Sequence, residues 1–79
     1  MKVLFFAQAR QTAGCPEYTL RTDRPLTQAE LWASLLTTFP NLASLQKSTR
    51  LARNASYLDD SELLQPGDEI AVIPPVSGG

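Results

Sequence analysis

The stretch DRPLTQAELWASLLTTFP, residues 23–40, carries the signals for both ends of one helix. Thr27 and Glu30 have the T-x-x-E spacing of a capping box, in which each side chain satisfies a backbone N–H that the first turn leaves unpaired. Leu26 just before the cap and Leu31 at the fourth helical position form a hydrophobic staple. Leu31, Leu35, Leu36 and Phe39 then recur on one side, with Trp32 at the border, so this stripe must be covered. Pro40 disfavours helical backbone in the residue before it and ends the helix near Thr38 or Phe39.

A lone amphipathic helix needs a surface to lie on, and the flanks provide strands. In KVLFFAQ (residues 2–8), alternation puts Val3, Phe5 and Ala7 on one face and Leu4 and Phe6 on the other. Both faces are apolar, which suits a central strand or one whose second face meets a partner. TAGCP (12–16) is a turn, and EYTLRT (17–22) is a half-buried strand that closes a hairpin with the first. NLASLQKS (41–48) has room for a short second helical turn. TRLARNASYLDD (49–60) is expected as one strand, with Leu51, Arg53, Ala55 and Tyr57 on one register and Ala52, Asn54, Ser56 and Leu58 on the other. LLQPGDE (63–69) is a loop with a Pro66-Gly67 turn. EIAVIP (69–74) is a strand with Ile70 and Val72 opposed to Ala71 and Ile73, and Pro74-Pro75 ends its ladder. The expected fold is an α+β roll in ββαββ order, with one main helix packed on a mixed sheet. The last strand should lie beside the first. The domain then covers residues 1–75, with residues 76–79 as a flexible tail.

Seventy-nine residues make one domain, and 43% hydrophobic residues with 19% charged ones is a globular composition. With one cysteine and no histidine there is no internal disulfide and no Cys/His metal cluster, so the core must hold by packing. The seven Lys and Arg are scattered and the net charge is −1, which leaves no footprint for nucleic acid or an anionic membrane. No apolar run approaches the roughly 18 residues of a membrane span. The opening apolar run, Val3 to Ala7, is shorter than the roughly 7 residues of a minimal signal core. A lone thiol without an export signal points to the cytoplasm.

Side-chain chemistry is sparse. Asp59-Asp60 and Asp68-Glu69 are sequence neighbours, which on a strand would point to opposite faces. Cys15 has no histidine or second cysteine to activate it. No glycine-rich phosphate loop is present. That leaves the end of the chain, IPPVSGG (73–79). Pro74 and Pro75 hold an extended exit. Ser77 is small, and Gly78 and Gly79 present bare backbone that can enter a tunnel where any Cβ would clash. A terminal carboxylate activated as an acyl-adenylate could then be captured by an amine, a thiol or sulfide.

A roll of this size ending in Gly-Gly resembles the ubiquitin-like β-grasp family. KVLFFAQAR at the start and GDEIAVIPPVSGG at the end resemble, within it, the sulfur-carrier small subunits of molybdopterin synthase. The resemblance implies that Gly79 is adenylated by an E1-like adenylyltransferase using ATP and converted to a thiocarboxylate with sulfur from a sulfurtransferase. It implies that Pro75, Val76, Ser77 and Gly78 carry this end into the large synthase subunit, where sulfur passes to cyclic pyranopterin monophosphate to build the dithiolene. A heterotetramer of two small and two large subunits is implied, with catalytic side chains on the large one and no cofactor held permanently by the carrier. The family's apolar docking surface falls on Phe6, Tyr57 and Ile73, and Arg10 matches a basic residue after the first strand. Arg53 stands where the family usually has an apolar residue. Carriers for thiamine thiazole synthesis or tRNA thiolation, a ubiquitin-like protein modifier, and a passive interaction module share parts of this pattern.

Overall fold

The chain's structure is a computed structural model, and it describes residues 1–75. The elements run β1 (Lys2–Phe5), α1 (Ala7–Ala13), β2 (Glu17–Thr19), α2 (Gln28–Thr38), two 3-10 turns (Pro40–Ser44 and Gln46–Ser48), β3 (Arg50–Arg53), β4 (Ser56–Tyr57) and β5 (Glu69–Ile73). The five strands form one sheet in the order β2-β1-β5-β3-β4. β1 and β5 pair in parallel and the other neighbours are antiparallel, so the sheet is mixed and the last strand does lie beside the first.

Strand alternation decides which side faces the helix. Val3 and Phe5 of β1, Leu51 of β3, and Ile70 and Val72 of β5 are buried together with Leu31, Trp32 and Leu35 of α2. The capping box of α2 is formed: Thr27 Oγ1 accepts from the Glu30 N–H at 3.1 Å, and Glu30 Oε1 accepts from the Thr27 N–H at 2.9 Å. Phe39, at the C-cap of α2, packs edge-on against both Phe5 and Tyr18 with ring centroids 5.3 Å apart. Leu42 of the first 3-10 turn is fully buried, so the stretch after Pro40 completes the core.

The expected ββαββ order gains a helix and a strand. The first strand stops at Phe5, and residues 7–13 are helical rather than extended and turn-like. Ala7, expected on the core face of a strand, is exposed with φ 49°, and Ala9 is buried instead. This short helix lacks a side-chain N-cap hydrogen bond and has no acidic residue in its first turn. The usual signals of a helix start are therefore absent from its sequence. Gly14 ends it with φ 80°, a left-handed conformation that glycine adopts without a Cβ penalty.

The single strand expected over residues 49–60 is a hairpin. Arg53 pairs with Ser56 across Asn54 and Ala55, both at positive φ (51° and 70°), as a two-residue primed turn requires. The second strand of the first hairpin ends at Thr19, earlier than Thr22. Arg53 does not need to face open solvent. It bonds to Glu62 at 2.8 Å, Asp68 at 3.1 Å and the Leu63 carbonyl oxygen at 2.9 Å, pinning the loop before β5. Leu64 exchanges backbone hydrogen bonds with Leu26, which ties the same loop to the start of α2.

Candidate functional site

The sheet face away from α2 has no cover within residues 1–75. Its central row follows from the register: Leu4 lies beside Ala71, Ala71 beside Ala52, and Ala52 beside Tyr57. Two alanines between larger neighbours make a floor with raised sides. The result is a shallow trough of about 370 Å³ lined by Leu4, Phe6, Ala52, Tyr57, Ala71 and Ile73, with Asn54, Ala55 and Glu69 at its margin. Phe6 and Tyr57 are 47% and 56% exposed, so an appreciable apolar area faces water.

Three expected docking residues thus share one surface, although not by the expected route. Phe6 points outward but lies just past β1, at the N-cap of α1. Its N–H still donates to the Val72 carbonyl oxygen at 3.3 Å, which carries the β1–β5 ladder one step further, to the level of Ile73. Ile73 closes β5 on the face opposite Val72, as alternation predicts. Tyr57 belongs to β4, not to the strand containing Arg53. The two-residue turn folds it back opposite Ala52, which reverses the register expected for a continuous strand. Arg10 is exposed on α1 and lines a neighbouring depression with Ala7, Gln11, Gly14, Cys15 and Pro16, outside the trough. Cys15 is half-buried, and its side chain packs against the core.

One residue of this face escaped sequence reasoning. Arg50 pairs with Ile73, and its guanidinium carbon lies 4.0 Å from the centre of the Tyr57 ring. Arg50 is diagonal to Tyr57 across the β3–β4 pair, within reach of a long side chain. Recognising the turn at Asn54-Ala55 would have revealed this, but Asn-Ala is a weaker signal than Asn-Gly.

The charges are arranged unevenly. At one end of the face Lys2 lies 3.8 Å from Glu17, with Glu69 beside Lys2 in register. At the other end Arg50 has no ion pair among the described residues. The displaced carboxylates lie elsewhere. The Arg24 guanidinium and the Thr27 N–H hold Glu30 below the usual carboxylate range. For Asp68, burial pushes upward, but the Gln65 N–H and the Arg53 guanidinium outweigh it and hold the carboxyl low. Neither group borders the trough. The lining can bind an apolar surface, but it brings no two proton-transfer groups to a common point. Among the described residues, no group of three or more His, Cys, Asp or Glu could hold a metal ion, and no helix is long and apolar enough to cross a membrane.

The chain leaves the sheet from β5, its central strand. Pro74 is buried and Pro75 exposed, at the end of the face bearing Phe6, Ile73 and Arg50. The expected tail residues Val76, Ser77, Gly78 and Gly79 lie outside the described residues.

Comparison with known proteins agrees with this architecture. The model of the ThiS family matches residues 3–79. The molybdopterin synthase sulfur carrier subunit of Arabidopsis thaliana is 40% identical over 79 residues, covering all of this chain and 82% of that protein. Among solved structures, SAMP1 from Haloferax volcanii is similar with a TM-score of 0.85 and 26% identity, over 100% of this chain and 98% of that one. A complex of subunits 1 and 2 of molybdopterin-converting factor from Helicobacter pylori contains a chain similar with a TM-score of 0.68 and 25% identity, covering 99% of this chain and 96% of that one. A match across the whole fold, from β1 through the central strand to the glycines, means that the chain belongs to the ThiS family, alongside the molybdopterin synthase sulfur carrier subunits.

Proposed function

We propose that this chain is the sulfur-carrying small subunit of a molybdopterin synthase. The observation that carries the reading is the exit of the chain from the central strand beside an exposed apolar face, on a chain 40% identical over its whole length to such a carrier. The face binds the large subunit, and the tail beyond Pro75 enters that subunit's active site. The similarity to a chain in the complex of subunits 1 and 2 of molybdopterin-converting factor supports this arrangement.

The chemistry resides on the Gly79 carboxylate. A carboxylate is a poor acyl donor, because its charge repels nucleophiles. An E1-like enzyme joins it to AMP from ATP, releasing pyrophosphate. The terminal sulfur of a persulfide on a sulfurtransferase then displaces AMP, and a thiol reduces the resulting acyl disulfide, leaving a thiocarboxylate and a disulfide. In the synthase the sulfur passes to cyclic pyranopterin monophosphate, two transfers completing the dithiolene, and water restores the carboxylate. Gly78 and Gly79 keep this end narrow, and the carrier itself contributes no catalytic side chain.

Incubation with an E1-like enzyme, ATP and a sulfur donor tests the first half, read by intact mass. Exchange of one oxygen for sulfur is expected, and an unchanged mass where a control carrier reacts would overturn the reading. Adding large subunit and precursor should then yield molybdopterin. A second reading, attachment to lysines as a protein modifier, is favoured by the similarity to SAMP1. It predicts isopeptide-linked conjugates in place of molybdopterin.

A further inference from the structure

We propose that Arg50 and Tyr57 act as one recognition unit, in which the stacked guanidinium receives a carboxylate from the large subunit beside the exit of the tail. The proposal rests on the reading of the open face as the surface that binds that subunit.

The geometry makes Arg50 unavoidable. Its guanidinium lies 4.0 Å from the Tyr57 ring centre, and its backbone is opposite Ile73. A partner that covers Tyr57 and Ile73 must cover Arg50 as well. Guanidinium groups stay charged at any physiological pH, so docking would strip water from a cation. Burying an unpaired charge is strongly unfavourable, whereas a carboxylate in the plane of the guanidinium can form two parallel charge-assisted hydrogen bonds. Stacking on the ring occupies a face of the guanidinium and leaves its edge N–H groups available.

The protein does not satisfy that edge from its own described residues. Lys2, Arg24 and Arg53 each have a carboxylate within 4.0 Å; Arg50, like Arg10, Arg21 and Lys47, has none among the described residues, and it stacks on a ring of the open face. Of the acidic groups of the face, Glu69 lies beside Lys2 at the opposite end, and Glu17, across from Leu4 on the edge strand, is within 3.8 Å of the Lys2 ammonium. The surface is therefore polarised along β5, with a cation that is unpaired among the described residues where the chain emerges. Its complement is an apolar ridge for the Ala52–Ala71 floor and an acidic side chain near the mouth of the tail tunnel.

The test is titration of the full chain with its cognate large subunit at low and high salt. Wild-type affinity should fall with salt. Arg50→Gln should bind about tenfold more weakly at low salt and show a flatter salt dependence. Arg50→Lys keeps the charge without the planar fork and should fall between them. Arg50→Leu should also bind more weakly, and tighter binding would show that Arg50 merely obstructs the face and overturn the proposal. Wild-type affinity in Arg50→Gln and Arg50→Lys, or a loss with unchanged salt dependence, would overturn it too. If Arg50→Gln fails to fold, the intermediate loss in Arg50→Lys decides the matter. No binding by the wild type would instead overturn the docking reading, and this proposal with it.

Discussion

The guanidinium of Arg53 lies 3.1 Å from the carboxylate of Asp68, joining the end of β3 to the residue just before β5. The two side chains are 24% and 17% exposed, so water screens the pair less than an ordinary surface ion pair. Arg53 also holds Glu62 and the Leu63 carbonyl oxygen. Replacing Arg53 with Met strands two carboxylates and a carbonyl, and should lower stability by about 2 kcal/mol in urea unfolding. Binding to the large subunit should persist, because Arg53 is absent from the trough lining.

Acid should weaken the same joint. The Asp68 carboxyl is held below the ordinary range of an aspartate. Its contribution is therefore fully present above the unfolded value and is lost as pH falls through the lower folded value. Stability measured from pH 6 downward should decline below about pH 4. Asp68→Asn should be less stable near neutrality and show a shallower acid decline.

Phe6 is 47% exposed, so Phe6→Asp should leave the melting temperature nearly unchanged. Loss of an apolar anchor from a docking face should weaken binding to the large subunit by about 2 kcal/mol or more. Ile73→Asp should weaken binding similarly, with a larger cost in stability because Ile73 is half-buried. Calorimetric titration and thermal melts of both variants separate the two effects.

Removal of Gly79, or addition of one residue after it, should abolish sulfur transfer while the unfolding curve stays superimposable on the wild type. The folded body ends its sheet at Ile73, upstream of the change. Retained transfer by the shortened chain would contradict a terminal thiocarboxylate.

Ala55 is held at φ 70°, which costs an alanine about 1 kcal/mol relative to glycine. Part of that gain returns as unfolded-chain entropy, so Ala55→Gly should stabilise the protein by about 0.5 kcal/mol. The same substitution should leave Tyr57 opposite Ala52 and partner binding unchanged.

Elements with signals at both ends were legible in the sequence. α2 had its Thr27–Glu30 box, its apolar stripe and Pro40, and β5 had clean alternation closed by two prolines. Both appear within a residue or two of expectation. α1 was hidden because Phe6 offers no capping oxygen and the apolar run continues through the break at Ala7. The hairpin at residues 50–57 was hidden because its turn uses an alanine at positive φ, against local preference. Phe6 and Ile73 were legible by alternation. The grouping of Tyr57 with them depends on that turn, so the residue was identified by resemblance and its position only by tertiary structure. Arg50 had no local signal, because its partner ring lies on another strand.

The parallel pairing of β1 with β5 joins residues 2–5 to residues 69–72 in the middle of the sheet. A chain still being synthesised cannot complete this pair until β5 has left the ribosome. A product that stops short of β5 lacks the central strand and exposes the edges of both its neighbours. The sheet and the strand that leads to the end of the chain are therefore completed together, and a product that stops short of β5 is left as a target for proteolysis.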